Sequence, residues 1–196
     1  MILKRINNIL IIITLFLGIF IIVNPLLPNI LFAFRDTTPE VIAPYSGQLA
    51  EIVGSSTTTE IPTDNRLVIP TIGIDEAILE SNNIGVIDNG GTWRRPNTSS
   101  PSKGSNTVIV GHRFYGLNGS TFYNLDKLKI NDSIAIYWEG KEYLYSVTDV
   151  KVVSPSAVEI EAPTADAQLT LYTCTPLWTA KDRLVITAKP IEINSQ

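Results

Sequence analysis

QLTLYTCTPLWTAKDRLVITAKP, residues 168–190, carries the residues on which both the fold and the candidate site of this 196-residue chain depend. The residues before Cys174 are rich in β-branched and aromatic types and predict a strand. Pro176 ends that strand because its ring removes a backbone donor. After a short loop, Arg183 opens a second apolar strand, residues 183–187. Two adjacent strands joined in this way place Cys174 and Arg183 at one edge of a sheet.

A strand upstream, residues 107–112, ends on His112, the only histidine, just as the strand before Pro176 ends on the only cysteine. Successive side chains of a strand alternate between faces, so Cys174 lies on one face and Thr173 on the other. If the strand ends lie side by side, His112, Cys174 and Arg183 converge at one rim. A lone cysteine is most often a small buried hydrophobe, so the residue types alone leave a structural and a chemical interpretation open.

Short apolar runs separated by Gly, Pro and Asn turns recur along the chain, at residues 67–69, 72–79, 107–112, 132–139, 141–153 and in the last two strands. With little helix between them, they predict an all-β fold, a closed barrel of about eight strands, rather than a βαβ fold. Residues 93–104 and 154–167 are predicted as loops. Ser120 is predicted to N-cap a short helix that runs through about Leu128. One or two such short helices are expected in the domain.

The N-terminus differs in composition from the rest. Lys4 and Arg5 precede a nearly continuous apolar run from Ile9 to Leu27, and a spanning helix needs about 20 apolar residues, with a lower limit near 17. Residues 24–34 contain no good small-x-small cleavage site, so we favour an uncleaved anchor over a cleaved signal peptide. The two positive charges predict that the N-terminus lies inside the cell and the rest outside.

The predicted organisation is a cytoplasmic N-terminus at residues 1–8, a transmembrane helix at 9–30, an extracytoplasmic linker at 31–65 and a folded domain at 66–196. The linker is rich in Ser, Thr and Pro and cannot bury enough apolar surface to order itself. The net charge of −4 and the pI of about 5.0 give no reason to expect a nucleic-acid partner. A single cysteine forms no internal disulfide, and a free thiol outside a cell is a candidate reactive group.

The sequence TLYTC, residues 170–174, resembles the Thr-Leu-x-Thr-Cys signature of the sortase family, with Arg183 at the spacing of the sortase arginine. VGH at residues 110–112 resembles the Gly-His that ends the strand carrying the family's histidine. LVIP, followed by IGI at residues 72–74, resembles the opening strands of these domains. The resemblance covers about residues 66–192. The long linker and the Thr-Cys-Thr-Pro setting are similar to housekeeping or class D and E sortases.

This resemblance implies a membrane-anchored cysteine transpeptidase. Cys174 would attack as the thiolate and form a thioester, and His112 would protonate the leaving amine. Arg183 would stabilise the oxyanion, while Thr173 and Trp178 are candidate substrate contacts. The implied substrate is a Leu-Pro-x-Thr-Gly-like sorting signal of secreted surface proteins, cleaved between Thr and Gly. The acyl group would pass to a peptidoglycan or pilin amine, or to water.

Two other interpretations of the chain remain. One is an L,D-transpeptidase-like peptidoglycan enzyme, although that family's Ser-His-Gly-Cys setting differs from the Thr-Cys-Thr-Pro found here. The other is a non-catalytic, membrane-tethered β-barrel binding module. Arg113, next to the histidine, is an alternative to Arg183 as the cationic partner. No cofactor or metal site is predicted, because the loop carboxylates Asp126, Glu159 and Glu161 do not have the spacing of calcium ligands.

Overall fold

The computed structural model describes residues 2–24, 30, 62–114 and 121–191. The chain divides into two compact units, Met1–Thr37 and Thr38–Gln196. Most of the predicted linker lies outside the described residues, and so does Ser120, the predicted helix cap.

Within residues 2–24, the first unit forms the helix α1 (Ile2–Val23). It begins before residue 9, the predicted start, because Lys4 and Arg5 favour helix as strongly as many apolar residues do. It ends shortly before Pro25, since a proline disfavours helical backbone in the residue that precedes it. The 20 residues Lys4–Val23 are long and apolar enough to cross a membrane.

The second unit is a closed barrel of eight strands in the order β1-β2-β3-β4-β7-β8-β6-β5. The β2–β3 and β4–β7 pairs are parallel and the other pairs are antiparallel. The all-β prediction of about eight strands is therefore confirmed. The strands are β1 (Arg66–Ile69), β2 (Ile74–Glu80), β3 (Thr92–Arg94), β4 (Asn106–Val110), β5 (Ser133–Trp138), β6 (Lys141–Val153), β7 (Gln168–Thr175) and β8 (Asp182–Pro190).

One or two short helices were expected in this unit. Its described part contains short 3-10 turns instead. They are Pro70–Ile72, Ile84–Ile87, Pro101–Lys103, Leu125–Lys127 and Val158–Glu161. Strand residues fill the interior, and those with no exposed surface include Leu67, Ile136, Leu169, Leu171 and Ile186. Burial alternates along β1, whereas every residue of β4 is buried. Burying one such side chain contributes about 1.5–3 kcal/mol, so these side chains together hold the barrel closed.

The loop prediction for residues 93–104 is wrong at its start, because Thr92–Arg94 is a strand. Trp93 is 3% exposed and packs against Val110 in a buried apolar cluster. Its indole N–H donates to the carbonyl of Ser81 at 2.8 Å. A strand of three residues is too short for the alternation of apolar and polar side chains to mark it in the sequence.

Two predicted strand boundaries also shift. β4 ends at Val110 rather than at His112. β2 begins at Ile74, because Pro70–Ile72 is a 3-10 turn that ends at Gly73 in the left-handed conformation, φ 68°. Glycine reaches that backbone conformation without steric cost.

Candidate active site

Three neighbouring strands bring His112, Cys174 and Arg183 to one end of the barrel. Cys174 and Arg183 are opposite each other in the antiparallel β7–β8 register, a pairing that places side chains about 5 Å apart at Cβ. β4 is parallel to β7, with Val110 opposite Tyr172. Continuing that register by two residues puts His112 level with Cys174. The three side chains selected from the sequence therefore lie together.

The segment that carries His112 is fixed by bonds on both sides. The Thr173 hydroxyl donates to the Gly111 carbonyl at 2.8 Å, and the Phe122 backbone N–H donates to the His112 carbonyl at 2.9 Å. Thr173 is buried, so its hydroxyl faces the barrel and not an open peptide-binding surface. The contact that the structure gives Thr173 is thus a link between β7 and the histidine segment.

Gly111 is required by close packing. A Cβ at this position would lie 2.8 Å from two atoms of the Phe122 ring, closer than Cβ atoms approach their neighbours in real structures. Phe122 is fully buried and has little room to move. The requirement for glycine before the histidine of the motif therefore has a steric reason in this fold.

His112 contacts a carboxylate that the sequence did not single out. Its Nε2 lies 3.2 Å from Oδ1 of Asp88. Asp88 follows the turn Ile84–Ile87, and its backbone N–H donates to the Gly85 carbonyl at 3.3 Å. The Asp88 side chain is 42% exposed and that of His112 is 22% exposed. No motif links the two residues, which are 24 positions apart, and only folding shows the pair.

Arg183 is held by the backbone of the loop between β7 and β8. One terminal nitrogen, Nη1, donates to the carbonyls of Ala180 at 3.2 Å and Asp182 at 3.0 Å. The residue is only partly exposed. These bonds anchor one side of the guanidinium on the strand next to Cys174.

Arg113, the alternative cation, has a different place. Its Nη1 donates to the Thr175 hydroxyl at 2.6 Å, and its Nη2 pairs with Asp126 at 2.8 Å. The residue is buried. Its guanidinium joins the end of β7 to the turn at Leu125–Lys127, which favours Arg183 as the cation beside the thiol.

Trp178 lies on the surface, in the loop after Cys174. It is 71% exposed, and its ring centroid is 4.3 Å from that of Phe114, with the rings tilted by 53°. Phe114 follows His112 by two residues and is also exposed. The two loops that flank the candidate site therefore share an exposed aromatic pair.

The segment between β6 and β7, residues 154–167, contains a 3-10 turn and is tied to the barrel by Glu161. Its Oε1 accepts hydrogen bonds from Arg95 Nε at 2.9 Å and from the Tyr172 hydroxyl at 2.6 Å. Burial, and then the hydrogen bond to Glu161, raise the pKa of Tyr172 above its ordinary value. Because Tyr172 precedes Cys174 by two residues, this network couples the segment to the strand bearing the thiol.

A hollow of about 390 Å³ lies beneath this segment on the outer face of β4, β7, β8 and β6. Asn106 holds the segment above it by donating to the carbonyls of Ile160 at 2.9 Å and Ala162 at 3.0 Å. The lining includes Thr170, Val185 and Thr187. The lining also includes Asn106 and Gln168, the first residues of β4 and β7, so the hollow lies toward the ends of these strands that are distant from Cys174.

Within residues 2–24, 62–114 and 121–191, no three His, Cys, Asp or Glu side chains form a group that could hold a metal ion. Asp126 and Glu161, two of the loop carboxylates, bind arginines directly instead.

Comparisons with known proteins show which family this chain is similar to. A family model for the sortase domain matches residues 67–191. Sortase SrtE1 of Streptomyces coelicolor is 30% identical over 100 residues, which cover 46% of this chain and 28% of that protein. Sortase A of Bacillus anthracis is 28% identical over 138 residues, 70% of this chain and 64% of that protein. The chain thus spans less than two thirds of the length of these two relatives.

Among solved structures, the lid mutant of sortase A from Corynebacterium diphtheriae superposes with a TM-score of 0.62 at 28% identity. The superposition covers 70% of this chain and 74% of that chain.

Proposed function

Because the chain belongs to the sortase family, whose members are cysteine transpeptidases, we propose that it cleaves a sorting signal through a thioester on Cys174 and transfers the acyl part to an amine. The signal is of the Leu-Pro-x-Thr-Gly kind, cut between Thr and Gly. The observation that carries the proposal is the register of β4, β7 and β8, which brings His112 and Arg183 to either side of Cys174.

In the first half of the reaction, the Cys174 thiolate attacks the carbonyl carbon of the Thr–Gly bond. A C–S bond forms and the carbonyl electrons move to oxygen, where the Arg183 guanidinium stabilises the charge. The oxyanion then collapses and the C–N bond breaks. His112 gives its proton to the leaving amine, so the products are a thioester and a free Gly-side amine.

In the second half, an amine of peptidoglycan or of a pilin attacks the thioester carbonyl and gives a proton to His112. The C–S bond breaks, the thiolate returns and a new amide is formed. If water attacks instead, the product is a free acid. Each half moves one proton, from His112 to the leaving amine in the first half and from the attacking amine to His112 in the second, so a single imidazole supplies both transfers.

We propose that the roofed hollow receives the residues before the cleaved bond. Thr170, in its lining, is four residues from Cys174 along β7, a distance of about 13 Å in a strand. An extended peptide of four residues has a similar reach, about 13–14 Å. We therefore place the N-terminal part of the signal along the outer face of β7, under the segment tied down by Glu161.

The exposed aromatic pair is the surface we propose for the other side of the bound peptide. Trp178 is the substrate contact that the sequence predicted, and the structure shows that Phe114 packs against it. An aromatic pair with open surface gives apolar contact to an extended peptide without a large loss of side-chain entropy.

Mass spectrometry of the full chain in detergent, incubated with a panel of Leu-Pro-x-Thr-Gly-like peptides, tests the proposed reaction. We expect an adduct on Cys174 equal in mass to the acyl fragment, together with the released Gly-side fragment. Cys174→Ala is the control and should give neither product. Trp178→Ala tests the aromatic surface and should raise KM more than it lowers kcat.

No adduct with any peptide, while a small thiol reagent still labels Cys174, would contradict the reaction and favour the binding module. A folded protein whose Cys174 also resists the small reagent would contradict the assignment of the nucleophile itself. An adduct that persists in the presence of an amine and water would contradict the second half of the reaction.

We also propose that α1 anchors the chain in the membrane, with the N-terminus inside and the barrel outside. Helix length and apolar composition support the anchor, and Lys4 and Arg5 support the orientation. The full chain should require detergent for extraction, and an impermeant thiol reagent should label Cys174 in intact cells. An N-terminus found after residue 23, or labelling only in broken cells, would contradict this placement.

A further inference from the structure

We propose that Asp88 is a positioning residue that fixes the orientation and tautomer of the His112 imidazole, an inference that rests on the proposed cysteine chemistry. The Asp88 Oδ1 to His112 Nε2 distance of 3.2 Å is within hydrogen-bonding range. The two residues come from different parts of the barrel, Asp88 from the turn before β3 and His112 from the end of β4.

The chemistry of the two groups decides the direction of this bond. A carboxylate has no hydrogen to donate, so the proton between Asp88 and His112 is carried by Nε2. The other ring nitrogen, Nδ1, is then the one that takes and returns the reacting proton, because the two imidazole nitrogens are distinct and a partner of one sets the role of the other.

Packing holds Asp88 in place. Ile87, the preceding residue, is fully buried in an apolar cluster with Trp93 and Val110. Val110 in turn lies two residues before His112, so the same cluster fixes both ends of the Asp88–His112 contact. The side chain of Asn83 accepts a bond from the Gly85 backbone N–H at 2.9 Å and closes the turn.

The chain offers a direct spectroscopic test because His112 is its only histidine. Imidazole ¹⁵N resonances of the full chain in detergent micelles therefore have a single source. We expect the Nε2–H tautomer in the unmodified protein and in Asp88→Glu, and a smaller share of that tautomer in Asp88→Ala. Asp75→Ala is the matched control, since it removes an exposed carboxylate that pairs with Arg66 at 2.6 Å.

Kinetics of peptide cleavage supply the second readout. Asp88→Ala should lower kcat about 10- to 100-fold, the usual cost of losing a group that orients a functional side chain. KM should stay within about twofold, because the contact of Asp88 is with the histidine and a positioning role acts on the chemical step. Asp88→Asn keeps the shape and removes the charge, so it should fall between Asp88→Ala and the unmodified protein. Asp88→Glu should recover part of the loss, and Asp75→Ala should lose nothing.

An unchanged tautomer in Asp88→Ala, or an unchanged kcat in that variant, would overturn the positioning role. The tautomer measurement needs no substrate, so failure of this inference is seen there even if the chain were inactive. Failure of the proposed function would instead be seen if the protein without any substitution forms no thioester.

Discussion

Arg183→Lys is expected to lower kcat for peptide cleavage about 100- to 1,000-fold, the cost typical of losing one donor to a developing oxyanion. Because lysine keeps the positive charge of arginine, the loss in kcat measures the contribution of the guanidinium geometry. Arginine presents a planar fork of five donors, whereas lysine presents a compact ammonium on a flexible stem. Here one nitrogen of the fork, Nη1, donates to the carbonyls of Ala180 and Asp182, and we assign the other donors to the substrate oxygen.

A lysine at this position cannot make the same two contacts at once. If its ammonium binds the loop carbonyls, it is drawn away from Cys174, and if it reaches toward the thioester it leaves those carbonyls. KM should change by no more than about threefold, because the interaction forms in the transition state. Steady-state rates with the best peptide of the panel give both constants.

Arg66→Lys is the matched control for this substitution. Arg66 also opens a strand and is also bonded through its guanidinium, to Asp64 and Asp75. Its exchange should leave kcat unchanged and stability nearly so, since exposed ion pairs contribute about 0–1 kcal/mol. Near-normal kcat for Arg183→Lys would move the oxyanion role to another group.

The convergence of the three site residues was predictable from the sequence for a physical reason. Each of them lies within two residues of a strand end, and strand ends are marked by turn residues such as Pro176. Alternation then assigns Cys174 and Thr173 to opposite faces, as the partial exposure of Cys174 and the burial of Thr173 confirm. What alternation does not provide is the pairing order of the strands, so the predicted convergence depended on the condition that the three strand ends lie side by side.

Features formed by distant or very short segments could not be predicted from the sequence. β3 has three residues and is held by its partners and by the Trp93 indole, not by its own pattern. Asp88 and Glu161 lie in turns where acidic residues are usually solvated. Their contacts with His112 and Tyr172 depend on how far the barrel brings separate turns together. Such contacts leave no periodic signal in a single sequence.

Gly111→Ala is expected to destabilise the barrel by about 1–3 kcal/mol, the usual cost of overfilling a well-packed interior. The added methyl group would meet the Phe122 ring at 2.8 Å. Relief requires a shift of either the buried ring or the segment that carries His112. Because Phe122 also donates its backbone N–H to the His112 carbonyl, both movements displace the imidazole, so kcat should fall as well.

Chemical denaturation, with kcat measured under native conditions, checks both effects. Gly104→Ala is the comparison, since a Cβ there meets nothing within 4 Å but must adopt a φ of 71°. That substitution should cost about 1 kcal/mol of backbone strain without lowering kcat. Phe122→Leu removes the ring and should partly relieve Gly111→Ala, which a double-mutant cycle detects as a favourable coupling. If the two substitutions were simply additive, the clash with Phe122 would not be the reason for glycine at position 111.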